Sequence, residues 1–353
     1  MQRGERVLPI DVGQLYSKFV ESTEIYPLPE VQPSIPEPRM EQIPSPTRDQ
    51  DLSLPRVGFH LLLFGLTCLT TTITGMAWWA DGQIKPNSFF EPITWAITET
   101  ANGHLLALGN GVLFTLTLLG ILAAHEFGHY FACRYYGVRA TLPFFLPAPP
   151  MITFFGTFGA VIKIKSPILS RRALFDIGIA GPLAGFALAL PASIAGLWVA
   201  QEAPSSAMSP GTMVFNDPPL FRILIPLLHA PPTFNWNPMY WAAWGALLVT
   251  ALNLFPVGQL DGGHVLYAIT GRRIHKWVSA GTSLAVGGLA IASFVWYGSP
   301  IWLLWTIVLL FLTKVGHPPV TDESPLGTTR TVLAVVGIIV FLLSFMPFPM
   351  SIL

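Results

Sequence analysis

The sequence predicts an all-α polytopic membrane protein of about six to eight transmembrane helices with a small β-rich re-entrant segment. Three observations lead there. Hydrophobic residues make up 52% of the chain and charged residues 11%, against roughly 25% charged in an ordinary soluble domain. Apolar runs approaching the length that crosses a bilayer, about 20 residues, succeed one another from Val57 onward. Among them, Phe154–Lys165 alternates like a short strand and carries Gly156 and Gly159, where a turn or a close backbone approach is possible. The formal net charge is zero and no long basic run occurs, so neither a nucleic-acid surface nor a polybasic lipid anchor is expected.

Residues 1–55 are rich in Pro, Glu and Ser, as in Pro27-Leu28-Pro29 and Ser34-Ile35-Pro36-Glu37-Pro38. Such a segment has too little apolar surface to offset its ordering entropy, so disorder is expected. It lacks an apolar core followed by a small-residue cleavage site, which argues against a secretory signal peptide. Residues 56–353 form the expected membrane-embedded domain. Its spans are read near Val57–Trp79, His104–Tyr135, Ala173–Ala200, Tyr240–Pro256, Trp277–Tyr297, Ile301–Val315 and Thr331–Phe348. The Tyr240 span continues irregularly past Pro256. Phe221–His229 is too brief to cross and is expected to be interfacial or re-entrant. Cys68 and Cys133 lie in or beside apolar runs, and no disulfide is expected. No internal repeat is evident, which weighs against a transporter built from duplicated halves.

Orientation follows from basic residues in short loops. Arg134, Arg139, Lys163, Lys165, Arg171 and Arg172 fall between the second and third spans with no acid before Asp176, and Arg272, Arg273 and Lys276 follow the fourth. These loops are expected on the cytoplasmic side, or its equivalent in an organelle, with Asp81–Asn102 and Gln201–Met239 opposite.

The second span contains His125-Glu126-Phe127-Gly128-His129. Residues four apart project from one helix face, so two imidazoles can grip one zinc ion while Glu126 reaches a water beside it. Ionisable groups within a span are costly unless paired, metal-bound or wet, and mark a functional site by default. A catalytic zinc takes three protein ligands, so a third donor is needed. Asp261 is the carboxylate available, lying alone between Asp217 and Asp322. At about 1.5 Å per residue, His104 to His125 and Tyr240 to Asp261 each cover about 30 Å, which brings both sites to one depth near the basic side. Pro256, Gly258, Gly262 and Gly263 argue that the fourth span unwinds around Asp261. Irregular backbone at that depth requires protein or a wet cavity to satisfy it.

His125-Glu126-Phe127-Gly128-His129 followed by Asn253-Leu254-Phe255-Pro256-Val257-Gly258-Gln259-Leu260-Asp261-Gly262-Gly263 resembles the site-2 protease family of intramembrane zinc metalloproteases. The Gly181-Pro182-Leu183-Ala184-Gly185 run, Gly156-Thr157-Phe158-Gly159 and His317-Pro318-Pro319 also resemble family features. The resemblance implies one Zn²⁺ held by His125, His129 and Asp261, with Glu126 as general base, and transmembrane proteins as substrates. It implies a hydrogen bond from Asn253 to substrate or oxyanion, although Asn253 serves equally well as an interhelical hydrogen-bonding residue. Gly156 and Gly159 divide between substrate contact and a structural turn, and His264 follows Asp261 closely enough to support the metal from outside its ligand set. Neither an inserted PDZ domain between the motifs nor a C-terminal CBS-type module is expected. The competing reading is a membrane protein that binds or transports a metal without proteolysis, or a pseudoprotease. Glu126 separates them, since holding a metal needs no base beside the imidazoles.

Overall fold

The computed structural model describes residues 54–79, 91–150, 152–202, 213–231, 233, 237–322 and 324–352. The expected disorder of the Pro-rich segment falls outside them, apart from Leu54 and Pro55, which open the first helix. The elements are α1 (Leu54–Trp79), α2 (Glu91–Ala101), α3 (Leu105–Tyr135), β1 (Phe144–Pro147), β2 (Thr157–Val161), α4 (Arg171–Trp198), β3 (Met213–Phe215), α5 (Pro219–Leu227), α6 (Pro238–Asn253), α7 (Asp261–Tyr297), α8 (Ile301–Val315), α9 (Thr328–Ser344) and β4 (Met350–Ile352). The protein is a helical polytopic membrane protein. Val57–Trp79, α3, α4 and α7 are long and apolar enough to cross a bilayer unaided, and α8 and α9 are shorter apolar helices.

Each expected span is matched by a helix, with one marked difference in where a span begins. The fifth does not begin at Trp277: helix α7 starts at Asp261 and runs to Tyr297 with a break at Gly271 (φ 76°). A Gly there takes the left-handed backbone that other residues resist. The break leaves carbonyls of the preceding turn without helical partners, and the Arg171 guanidinium caps them, donating to Ala268 O at 2.9 Å and Ile269 O at 3.0 Å. Helix α2, by contrast, lies in a stretch where no helix is expected from sequence. The Phe221 segment forms α5, nine residues with Leu220, Phe221 and Leu224 buried, too short to cross.

The β-rich segment is an antiparallel pair, with Phe144 opposite Val161, Phe145 opposite Ala160 and Leu146 opposite Gly159. Together with the loop between its strands it lies along α1. His60 stacks on Phe144 at 4.0 Å, Phe64 meets Phe145 edge-on, Thr70 Oγ1 donates to Gly156 O at 2.7 Å, and Trp78 Nε1 donates to Phe154 O at 2.8 Å. From His60 to Trp78 a helix rises about 27 Å, so the segment enters nearly as deep as α1 does. Side chains of α1 satisfy backbone that lipid could not. Gly156 is required here: its φ is 70°, and an added Cβ would come 2.6 Å from the Thr70 carbonyl oxygen.

The largest buried cluster centres on α3, α4 and α6, with Phe114, Leu118, Ala189, Trp244 and Leu247 among its members. At one end of these helices Arg330 of α9 grips Asp176 of α4 through Nε and Nη2 (2.9 and 2.6 Å) and donates to Tyr136 Oη at 3.0 Å. Tyr136, just past α3, also donates to Asp176. A forked Arg–carboxylate contact of this kind fixes geometry as well as charge, and it ties α9 to the two helices that frame the site.

Candidate metal centre

The C-terminal third of α3 carries the two histidines. His125 and His129 are 4% and 7% exposed, a burial that ionisable rings in a span tolerate only with partners. Small residues of α4 admit them. An added Cβ on Gly181 would overlap the His129 ring, one on Gly185 would reach 3.2 Å from His125 Nδ1, and one on Gly128 would meet Ala180 O at 2.6 Å. The glycines of the Gly181–Gly185 run are therefore spaces for imidazole, beyond the helix–helix contact read from sequence.

Helix α6 ends at Asn253, and non-helical backbone follows to Leu260 before α7 restarts at Asp261. Residues farther along α7 satisfy this break: Ser279 Oγ donates to Pro256 O at 3.2 Å, and His275 Nε2 donates to Gly258 O at 3.2 Å. Gly262 and Gly263 let the new helix sit directly on the break. A Cβ on Gly263 would lie 2.6 Å from Gly258 O, and one on Gly262 would overlap Leu254 O. The Gly-Gly pair thereby sets where Asp261 emerges.

The two pieces of chain converge. His125 Nε2 lies 3.1 Å from His129 Nε2 and 3.1 Å from Asp261 Oδ2, and His129 Nε2 lies 3.3 Å from Asp261 Oδ1. Ligands at about 2.1 Å in a tetrahedron stand about 3.4 Å apart, so the two Nε2 atoms and the Asp261 carboxylate are spaced as zinc ligands would be. Tautomers agree with this. His129 Nδ1 lies 2.7 Å from Ile177 O, a carbonyl that can only accept, so the proton sits on Nδ1. The neutral ring then turns a lone pair at Nε2 toward its neighbours, as a metal ligand must. Among the described residues, His125, His129 and Asp261 are the group of three or more His, Cys, Asp or Glu that could hold a metal ion.

A cavity of about 240 Å³ opens on this group. It is lined by His125, Glu126 and His129 of α3, by Ala160, Val161, Ile162 and Ile164 of the strand segment, and by Asn253, Gln259, Asp261 and His264. Its volume far exceeds the about 10–15 Å³ that one water needs. Glu126 is 7% exposed, and its carboxylate meets the Ile162 backbone amide. Asn253 Nδ2 is 3.3 Å from His125 Nε2. Gly156 and Gly159 do not line the cavity: Gly156 packs on α1, while Gly159 (φ 100°) has open space where a Cβ would stand. Sequence reasoning passed over Gln259 and attached no chemistry to His317. His317 reaches the site through His264, a contact with no sequence signal because it spans 53 positions.

Gly181→Ala is expected to keep the fold, because Ala is the better helix former by about 1 kcal/mol, while displacing the His129 ring. Zinc affinity should fall at least about tenfold, the lower range for disturbing a group that orients a ligand. Gly185→Ala should have a smaller effect. Zinc titration of purified protein checks the order.

Comparison with known proteins places this geometry. The chain is 30% identical over 258 residues to a probable zinc metalloprotease EGY2, chloroplastic, of Oryza sativa subsp. japonica, covering 70% of this chain and 44% of that protein. It is 30% identical over 239 residues to a probable zinc metalloprotease EGY1, chloroplastic, of Arabidopsis thaliana, covering 65% and 42%. The chain thus spans less than half the length of these curated relatives. A solved structure, a site-2 protease from Methanocaldococcus jannaschii, is 17% identical with a TM-score of 0.34, covering 62% of this chain and 81% of that one. Residues 113–295 match Peptidase family M50, a stretch that includes both the α3 histidines and Asp261. With the match extending over more than half of the sequence, the chain belongs to Peptidase family M50.

Proposed function

We propose that the protein is an intramembrane zinc endopeptidase, hydrolysing peptide bonds in or near transmembrane segments of other membrane proteins, with its active centre near the cytoplasmic side. The observation that carries this reading is the meeting of His125, His129 and Asp261 at 3.1–3.3 Å with a carboxylate, Glu126, lining the same cavity. Zinc, when bound by those three side chains, supplies Lewis acidity to water and to a peptide carbonyl. Glu126 takes the proton from the attacking water on its carboxylate and returns it to the leaving amine nitrogen. Asn253 Nδ2, beside His125, donates to the carbonyl oxygen as charge builds on it. The basic residues of the loops flanking the α3 C-terminus support the sidedness.

A spanning helix must unwind before its carbonyls can be attacked. Strand β2 gives one edge to β1, while Ala160 and Val161, with Ile162 and Ile164 beyond the strand, line the cavity. This supports pairing of the unwound substrate with that segment as an added strand, with Gly156 and Gly159 shaping the strand and its approach. Proline substitutions along Thr157–Val161 that remove a pairing N–H should slow cleavage about 3- to 10-fold at constant zinc content, the cost of one hydrogen bond. Unchanged rates across the series would remove the pairing step.

Substrates can be found directly. Quantitative proteomics of membranes holding the active protein or Glu126→Gln should show a set of membrane proteins that accumulate uncut only in the variant. Indistinguishable membranes would refute the assignment.

A further inference from the structure

His264, His317, Tyr267 and His275 form a cluster behind Asp261 that the proposed chemistry leaves unused. His264 Nδ1 lies 2.7 Å from His317 Nε2, and His317 Nδ1 lies 2.7 Å from Pro318 O. His317 stacks on Tyr267 at 4.1 Å, with His275 edge-on at 5.7 Å. Hydrogen-bond partners and burial together assign the protons along this line. Pro318 O only accepts, so His317 Nδ1 carries a proton. His317 lies outside the spanning helices, and burial pulls its pKa down to about 4, so at neutral pH the ring is neutral and its Nε2 bears a lone pair. His264 Nδ1 must therefore donate to it. In the neutral His264 ring this leaves Nε2 as the unprotonated nitrogen. That atom has no protein partner among the described residues, yet it is not a sealed, unsatisfied polar atom. His264 lines the cavity that holds His125, Glu126, His129 and Asp261.

We propose that His264 presents Nε2 to the cavity as a fixed hydrogen-bond acceptor for a backbone N–H of the bound peptide, with His317 as the positioning residue that sets its tautomer. A peptide paired along one edge with the strand segment still carries N–H donors on its other edge, and these cost free energy when left unpaired in a site shielded from water. The inference rests on the peptidase reading, since it takes a peptide to be the occupant.

The test uses the full-length protein, zinc-loaded, and a dipeptidyl hydroxamate as probe, with two further probes carrying an N-methyl group on each backbone amide in turn. His264→Leu should keep its zinc and bind the parent probe about 5- to 10-fold more weakly, the range for one lost hydrogen bond. One N-methyl probe should show the same loss on the unmodified protein and no further loss on His264→Leu. A glutamine amide reaches the position of Nε2 and an asparagine amide that of Nδ1, so His264→Gln should recover binding and His264→Asn should not. His317→Phe, which keeps the stack on Tyr267 but frees His264 to change tautomer, should weaken the parent probe by a smaller factor. Recovery with Asn instead of Gln, or equal binding by all variants, overturns the proposal in favour of a purely structural His264–His317 tie. Loss of zinc from His264→Leu overturns it as well. The peptidase reading fails separately, through cleavage that survives Glu126→Gln.

Discussion

Asp261→Ala is expected to lose zinc and cleavage together while the protein still folds. Two imidazole donors remain on α3, but the carboxylate that completes the three-ligand set is gone. Disturbing a group that merely orients a ligand costs 10- to 100-fold in metal affinity, so removing a ligand should cost more than about 100-fold. The fold should tolerate the change because Asp261 opens a helix held by other means. Gly262 and Gly263 pack on the break behind it, and Arg171 caps Ala268 and Ile269 at the far end of that helical segment. Metal analysis of purified protein, beside its thermal unfolding, is the check. Full zinc occupancy in Asp261→Ala would remove this carboxylate from the ligand set.

The site was more legible in the sequence than the path leading to it. His125, Glu126 and His129 announce themselves by four-residue spacing in an apolar run, and Asp261 by being a lone carboxylate at matching depth. The depth estimate treats Tyr240–Asp261 as straight helix, whereas the helix stops at Asn253 and restarts at Asp261. It arrived at the right level because the helical residues from Tyr240 to Asn253 already rise about 20 Å and the break covers the remainder. Asn253 lines the cavity beside His125.

What could not be read depends on partners far apart in sequence. Whether the Tyr240 span stays irregular after Pro256 or becomes helix again is decided by Ser279 and His275, which satisfy the broken carbonyls from twenty or so positions away. The glycines at 181 and 185 read as generic small-residue contacts, and only the neighbouring helix shows that imidazoles fill the space. Gly156 could have served a turn or a substrate, and its contact with Thr70 of α1 gives it a packing role. Helix α2 escaped notice because its eleven residues, with Glu91 and Glu99 among them, are too short and polar to read as a span.

Glu126→Gln carries the largest effect expected on turnover with the least expected on structure. The side chain keeps its shape, and a glutamine oxygen can still accept from the Ile162 amide that the carboxylate meets. His125, His129 and Asp261 are untouched, so zinc content should stay at one per chain. What disappears is the atom that accepts a proton from water and hands it to the leaving amine. General acid–base catalysis is worth about 10²- to 10⁴-fold, and kcat for a reconstituted transmembrane substrate should fall by that factor. KM should change little, because glutamine alters no contact with the parts of the peptide remote from the scissile bond. Thermal stability should hold or rise, since a carboxylate 7% exposed costs more to bury than a neutral amide. This combination separates peptidase from metal carrier: metal uptake into vesicles would continue in Glu126→Gln if transport were the activity. Retained cleavage alongside retained zinc would mean that another group moves the proton.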